Sequence, residues 1–323
     1  MKPRVFISRP IPEKALSIIK NECQVDWWTE TETLPPLREK IVGLDGLLTY
    51  GHELVTAEMM DTAPNLKVIS VMGVGYDHVD VAAATERGIA VGHTPGVLDE
   101  TVADMIFALL MAVARNILKG GRFVRGGDWR VYNPNILWGA EIHGSTLGII
   151  GMGRIGRAVA RRARGFNMKI LYHNRHRLPE WEEKLGVQYT SKETLLAEAD
   201  FIVVLSSLTK QTHRLIGELE LAQMKPTAIL INAARGPIVD FQALCQALRD
   251  GVIAGAGLDV FDPEPPLAND PLLALDNVVL TPHLGSATVR TRTQMALMSA
   301  ENLLAGLRGE SLLYWVNSQV RGQ

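Results

Sequence analysis

The segment Leu147-Gly148-Ile149-Ile150-Gly151-Met152-Gly153-Arg154-Ile155-Gly156 spaces three glycines as GxGxxG behind a short apolar run. The chemistry such a spacing serves is the binding of a pyrophosphate. Gly151 permits a tight turn, Gly153 lets the backbone approach the phosphates, and Gly156 lets the following helix pack close to the strand. A helix opening at Arg154 then turns its unpaired N–H groups and positive end toward the anion. The spacing alone also occurs in glycine-rich turns that bind nothing. The strand before it and the helix after it are the context that separates a dinucleotide site from such a turn.

An NAD site places Asp or Glu about 20 residues further on, to bond the ribose 2′-hydroxyl. Here the next strand ends at Tyr172-His173 and runs into Asn174-Arg175-His176-Arg177. A carboxylate would repel a 2′-phosphate, whereas an arginine offers it paired N–H donors. Asn174, Arg175 and Arg177 therefore predict NADP(H), with NADPH preferred over NADH. The other reading of these residues is a solvated basic loop.

Three further polar positions stand in loops behind apolar runs. Ile229–Asn232 leads into Ala233-Ala234-Arg235-Gly236-Pro237, Gly257–Phe261 leads into Asp262-Pro263-Glu264-Pro265, and Val278–Thr281 leads into Pro282-His283-Leu284-Gly285-Ser286. In an open parallel sheet, ligands bind outside the carboxyl ends of the strands. All three loops are predicted to emerge on the edge that carries the cofactor.

The elements that must hold these loops alternate along the chain. Strands are predicted at Arg4–Ile7, Gly46–Thr49, Lys67–Ser70 and Ile89–Val91, with a helix near Pro12–Lys20. One long helix is predicted from about Glu100 to Arg125, stopped by Gly126-Gly127. The loop behind it carries Trp129, Tyr132, Pro134 and Trp138. A second alternation starts at Thr146, and the chain closes on a helix over about Ala287–Arg308. Strands alternating with helices argue for an α/β protein of parallel sheets covered on both faces.

Composition narrows the function classes. The chain has 323 residues, 47% hydrophobic and 21% charged, with a formal net charge of −2. That is globular material for one large or two ordinary domains. No basic excess points to nucleic acid. The longest apolar stretch, Met105–Ala114, is too short to span a bilayer. Cys23 and Cys245 form no CxxC pair, so neither a disulfide framework nor a metal site is indicated. A soluble, cytoplasmic protein is expected.

The strings GIIGMGRIG, NAARGPIVD, GAGLDVFDPEP and TPHLGSAT stand in that order. With them the chain resembles the D-isomer-specific 2-hydroxyacid dehydrogenases over about Gly73–Asn302, and within that family the glyoxylate/hydroxypyruvate reductases. The resemblance implies that Arg235, Glu264 and His283 are catalytic. In that role His283 donates the proton to the substrate oxygen. Glu264, bonded to the other ring nitrogen, favours imidazolium and raises its pKa. Arg235 holds the substrate carboxylate and polarises the carbonyl.

The resemblance also implies that Val74 and Gly75 donate backbone N–H groups to the substrate carboxylate, although by itself their GxG reads equally as an ordinary turn. It places Thr101, Arg154, Ile155, Ser206, Ser207, Thr212, Ala233, Asp259 and Gly285 at the cofactor. Ser207 departs from the proline that many family members carry. Asp259 reads either as a partner of the nicotinamide amide or as a strand-end cap. Trp138 either reaches a neighbouring subunit's substrate pocket or packs locally.

The fold implied is two doubly wound parallel-sheet domains. A Rossmann-type cofactor domain spans about 100–286, and a flavodoxin-like substrate domain is built from 1–99 and completed by 287–323. The implied active site lies in the cleft between them. The implied activity is NADPH-dependent reduction of small 2-keto acids, glyoxylate to glycolate and hydroxypyruvate to D-glycerate, by a homodimer. The alternatives are a reductase of a larger 2-keto acid such as 2-ketogluconate and a non-catalytic dinucleotide-sensing protein.

Overall fold

The computed structural model describes residues 1–30, 32–51 and 53–320. The chain divides into two compact units, residues 1–98 with 288–323, and residues 99–287.

The first unit holds five parallel strands: β1 (Arg4–Ile7), β2 (Gln24–Trp27), β3 (Gly46–Thr49), β4 (Val68–Val71) and β5 (Ala90–Gly92). Their order is β2-β1-β3-β4-β5, the flavodoxin-like arrangement. Strands covered on both faces read as continuous apolar runs, and Gly46-Leu47-Leu48-Thr49 and Val68-Ile69-Ser70-Val71 are buried throughout. Phe6, Leu47, Ile69 and Val91 join one core with Ile41 and Met60. The other face takes helix Val289–Leu307, which crosses β3 and β4 so closely that a Cβ on Gly306 would stand 2.5 Å from Val68. The last helix of the chain thus completes the first sheet. β2 escapes the sequence reading because it is a half-exposed edge strand with Val25 as its one aliphatic residue.

The second unit holds seven parallel strands: β6 (Thr146–Ile150), β7 (Lys169–His173), β8 (Gln188–Tyr189), β9 (Phe201–Val204), β10 (Ile229–Asn232), β11 (Gly255–Leu258) and β12 (Val278–Leu280). Their order is β12-β11-β10-β9-β6-β7-β8. The direction of winding reverses between β6 and β9, and this switch point is where an open α/β sheet takes its ligand.

The single helix predicted over Glu100–Arg125 is two helices, Asp99–Ala114 and Ile117–Arg125, bent by 60°. Asn116 at the break is left-handed, φ +51°, a conformation asparagine tolerates better than most residues. Its amide donates to the carbonyls of Leu137 and Trp138 at 3.3 and 3.0 Å. The loop docks so tightly that a Cβ on Gly139 would fall 2.0 Å from the Ala114 oxygen. Apolar periodicity carries no mark of such a break. Among the described residues no single helix is long and apolar enough to cross a membrane. Helix Asp99–Ala114 lies against β10 and β11, with Phe107 stacked on Phe166 at 5.3 Å.

Candidate active site

The glycine loop follows β6 at the switch point. Gly151 has φ +108°, and a Cβ there would stand 2.6 Å from the Ser206 nitrogen behind β9. Only glycine fits both the angle and the approach. A Cβ on Gly156 would meet the Gly151 oxygen at 2.5 Å, so the helix starts hard against the turn. Gly153 faces open space, with nothing within 4 Å of its Cβ position. The helix Arg154–Gly165 begins at Gly153 with no side chain capping it. Its first N–H groups, those of Arg154 and Ile155 included, have no intrahelical acceptor. Across the switch point the Ser206 hydroxyl is buried and, among the described residues, has no partner. Uncapped N–H groups, open space at Gly153 and an unsatisfied hydroxyl are what a bound dinucleotide would complete.

The loop after β7 holds its three candidate residues in three different ways. The Asn174 side-chain oxygen accepts the Met152 N–H at 2.7 Å, which ties the loop to the glycine turn. Arg175 is exposed and forms no ion pair among the described residues. Arg177 is already committed: its Nε and Nη2 donate to the two Glu182 oxygens at 2.8 and 2.7 Å. The fully buried Tyr172 backs that pair, donating from its hydroxyl to Glu182 at 2.8 Å while accepting the Leu178 N–H. Burial pushes the Tyr172 phenol up to about 12, and the Arg177 hydrogen bonds hold the Glu182 carboxyl below its usual range. Thr212 turns inward in the same manner, donating to the Ser207 carbonyl at 2.6 Å and accepting the Thr209 N–H. Its hydroxyl shapes the loop, and the Ser207 carbonyl is engaged with it.

Arg235 follows β10. The strand ends on Asn232, fully buried, whose side-chain oxygen accepts the Ala234 N–H and whose amide donates to the Arg235 carbonyl at 3.0 Å. Asn232 thereby clamps the Ala233–Arg235 turn. Gly236 then lets this turn touch the next loop, since a Cβ there would overlap the Phe261 carbonyl oxygen at 1.7 Å. The Arg235 Nη1 donates to the Ala234 carbonyl at 2.9 Å. Neither Asn232 nor Gly236 stands out as a site residue in the sequence. A polar residue closing the apolar run Ile-Leu-Ile-Asn is the available signal.

His283 Nδ1 lies 2.6 Å from Glu264 Oε1, with side-chain exposures of 35% and 18%. Glu264 Oε2 accepts the Phe261 N–H at 3.2 Å, which orients the carboxylate. His283 itself is left-handed, φ +52°, a conformation uncommon for a residue with a Cβ. Its N–H is shared by the carbonyls of Asp259 and Thr281, both at 3.0 Å. Asp259, 1% exposed, supplies most of the constraint. One carboxylate oxygen accepts from the Thr281 hydroxyl at 2.6 Å and the Leu284 N–H at 2.7 Å, the other from the Gly285 N–H at 2.7 Å. These are the bonds of a cap over the His283 loop. A Cβ on Gly285 would meet Val102 at 3.4 Å, so the loop lies beside the helix turn that carries Thr101.

Val74 and Gly75 belong to the other unit, in the turn after β4. Trp138 is 76% exposed and donates from its indole nitrogen to the Pro134 carbonyl at 2.9 Å. A cavity of about 400 Å³ beside Trp138 is lined by Ile229, Ala254 and Val278, the beginnings of strands. It therefore opens at the edge opposite the loops described above. Among the described residues no group of His, Cys, Asp and Glu side chains is placed to hold a metal ion.

The family model for the D-isomer specific 2-hydroxyacid dehydrogenase, NAD binding domain, matches residues 107–285. The chain is 49% identical to a glyoxylate reductase of Korarchaeum cryptofilum, covering 99% of this chain and 97% of the relative. It is 48% identical to a glyoxylate reductase of Pyrococcus furiosus over 99% and 97% of the two chains. Among solved structures, a Thermus thermophilus protein superposes with a TM-score of 0.91 at 46% identity, over 97% and 99% of the chains. An NADPH-dependent glyoxylate/hydroxypyruvate reductase from Sinorhizobium meliloti, in complex with NADP and malonate, gives 0.88 at 32% identity over 100% and 99%. The chain belongs to the D-isomer-specific 2-hydroxyacid dehydrogenases and is an NAD(P)-dependent oxidoreductase.

Proposed function

We propose that this protein is an NADPH-dependent reductase of small 2-keto acids, converting glyoxylate to glycolate and hydroxypyruvate to D-glycerate. The observation that carries the reading is the 2.6 Å contact between His283 Nδ1 and Glu264 on a loop fixed from several sides. The glyoxylate reductases at 48–49% identity support glyoxylate as a substrate, and the name of the Sinorhizobium meliloti glyoxylate/hydroxypyruvate reductase supports hydroxypyruvate beside it.

The bound nicotinamide supplies the hydride. Everything else falls to the chain. With its Nδ1 proton directed to Glu264, His283 has Nε2 as the nitrogen that delivers a proton to the carbonyl oxygen. The Glu264 carboxylate stabilises the imidazolium that makes this donation. Arg235 grips the substrate carboxylate, and its planar fork fixes the orientation of the adjacent carbonyl. The resemblance to the family assigns carboxylate binding also to the N–H groups of Val74 and Gly75, which lie in the first unit. Asn174 and Arg175 distinguish the coenzymes, with Arg175 as the available charge for a 2′-phosphate. Thr101, Arg154, Ile155, Ser206, Ser207, Ala233 and Gly285 border the rest of the cofactor, and Asp259 holds the catalytic loop against it.

The protein acts as a homodimer in the cytoplasm. Ile117, Leu118, Val124, Val131, Tyr132 and Trp138 are all exposed on the second helix and the loop behind it, and apolar side chains exposed close together in sequence support a protein contact there. Sedimentation equilibrium checks the dimer.

The test of the activity is a panel of glyoxylate, hydroxypyruvate, pyruvate and 2-ketogluconate with NADPH. The highest kcat/KM is expected for glyoxylate or hydroxypyruvate. A maximum with 2-ketogluconate would reassign the substrate, and no turnover with any of the four would leave a dinucleotide-sensing protein.

A further inference from the structure

The turn Gly73-Val74-Gly75 is held from its carbonyl side by two consecutive residues. The Thr94 N–H donates to the Gly73 oxygen at 2.8 Å. His93 Nδ1 lies 3.0 Å from the Val74 oxygen. A carbonyl oxygen only accepts, so this ring nitrogen carries the proton. Each of these oxygens shares a planar peptide unit with the N–H of the following residue. The Gly73 oxygen is paired in that way with the Val74 N–H, and the Val74 oxygen with the Gly75 N–H. Pinning the oxygen of a planar unit fixes the direction of its N–H. Among the described residues the Val74 and Gly75 N–H groups themselves donate no hydrogen bond.

The histidine is in turn firmly placed. Its own N–H donates to the Tyr314 carbonyl at 3.2 Å, and its carbonyl accepts from the Asn302 amide at 3.0 Å. The Tyr76 ring meets the imidazole edge-on, with centroids 5.5 Å apart and planes at 82°. Thr94 acts through its backbone, which any residue but proline supplies. His93 acts through its side chain, so its contribution is specific to the residue type.

We propose that His93 is a positioning residue for the substrate carboxylate. Donating to the Val74 oxygen, it aims the Gly75 N–H at the anion. It also polarises the shared peptide, which makes that N–H a stronger donor. The inference rests on reading Val74 and Gly75 as carboxylate donors and adds to it the side chain that orients them.

The test is kcat, KM for glyoxylate and Kd for NADPH in His93→Ala, His93→Phe and His93→Asn. Loss of one neutral hydrogen bond behind the donor is expected to raise KM about three- to tenfold in the Ala and Phe variants, with kcat and the NADPH Kd little changed. His93→Asn, whose amide can donate to the same carbonyl, is expected to recover most of the loss. An unchanged KM in the Ala and Phe variants, or an Asn variant as impaired as the Phe one, overturns the proposal. Gly75→Pro, checked for folding by circular dichroism, removes the N–H itself. A wild-type KM in Gly75→Pro removes the carboxylate reading of the turn. A raised KM there beside an unaffected His93→Phe removes only the role of His93.

Discussion

Two loops of the second unit face the same sheet edge and are built in opposite ways. The loop around His283 is held by the Asp259 carboxylate through three hydrogen bonds, and its histidine keeps a left-handed backbone and a carboxylate partner at 2.6 Å. The loop after β7 is tied to the glycine turn by the Asn174 side chain, takes the Tyr189 hydroxyl on the Asn174 carbonyl at 3.4 Å, and then runs outward to an exposed Arg175 and an Arg177 engaged by Glu182. On the proposed roles, the difference follows from the tasks. Proton donation needs a side chain fixed before the substrate arrives. Discrimination between coenzymes needs only charge close to a 2′-phosphate, and an exposed arginine supplies it at little cost in stability.

The largest effect that would break this contrast is on the rigid side. His283→Ala is predicted to lower kcat for glyoxylate reduction by about 10²–10⁴-fold while the NADPH Kd stays near wild type. Near-normal turnover would remove His283 from the chemistry. Next comes the cap. Asp259→Ala leaves the Thr281 hydroxyl and the Leu284 and Gly285 N–H groups without their acceptor. At about 1–3 kcal/mol for each buried donor left unmade, a clear fall in thermal midpoint should accompany a kcat loss on the order of tens-fold. A variant with wild-type midpoint and turnover would show that the three bonds hold nothing in place.

Arg235→Lys is predicted to raise KM and lower kcat together, since a point charge does not reproduce a planar fork. Unchanged constants would place Arg235 outside the substrate site. The smallest effects fall on the open loop. Arg175→Ala should weaken NADPH binding about tenfold and leave NADH untouched. Arg177→Ala should change the NADPH Kd less, because that guanidinium is already paired. The Glu182 carboxyl is held below its usual range by the Arg177 hydrogen bonds, so as pH falls the pair survives to a lower pH than an unpaired carboxylate would stay charged. A larger effect from Arg177 than from Arg175, measured by coenzyme titration, would reverse the assignment within the loop.

The two loops are also unequally legible in the sequence. Arg235, Glu264 and His283 can be picked out because each follows an apolar strand inside a distinctive string. The partners that hold them cannot. Asp259 reads both as a cofactor contact and as a cap, and only the distances to Thr281, Leu284 and Gly285 display the capping bonds. Arg175 and Arg177 look equivalent in sequence. What separates them is Glu182, five residues beyond Arg177, backed by a tyrosine whose hydroxyl lies inside the fold. At the level of elements, strands buried on both faces announce themselves as apolar runs. The edge strand β2 and the two-residue β8 do not, because half-exposed strands carry little apolar pattern. The bend at Asn116 is hidden because apolar residues continue past it at Ile117, Leu118, Phe123 and Val124 and the cause lies in the docking of residues 137–140.

The most direct test is the initial rate of glyoxylate reduction by the wild-type protein, measured in parallel with NADPH and NADH over a range of coenzyme concentrations. The arrangement of Asn174 and Arg175 predicts turnover with both and a kcat/KM about ten- to a hundredfold higher with NADPH. A higher kcat/KM with NADH would contradict the reading of the β7 loop, and no oxidation of either coenzyme would contradict the assignment of the reaction itself.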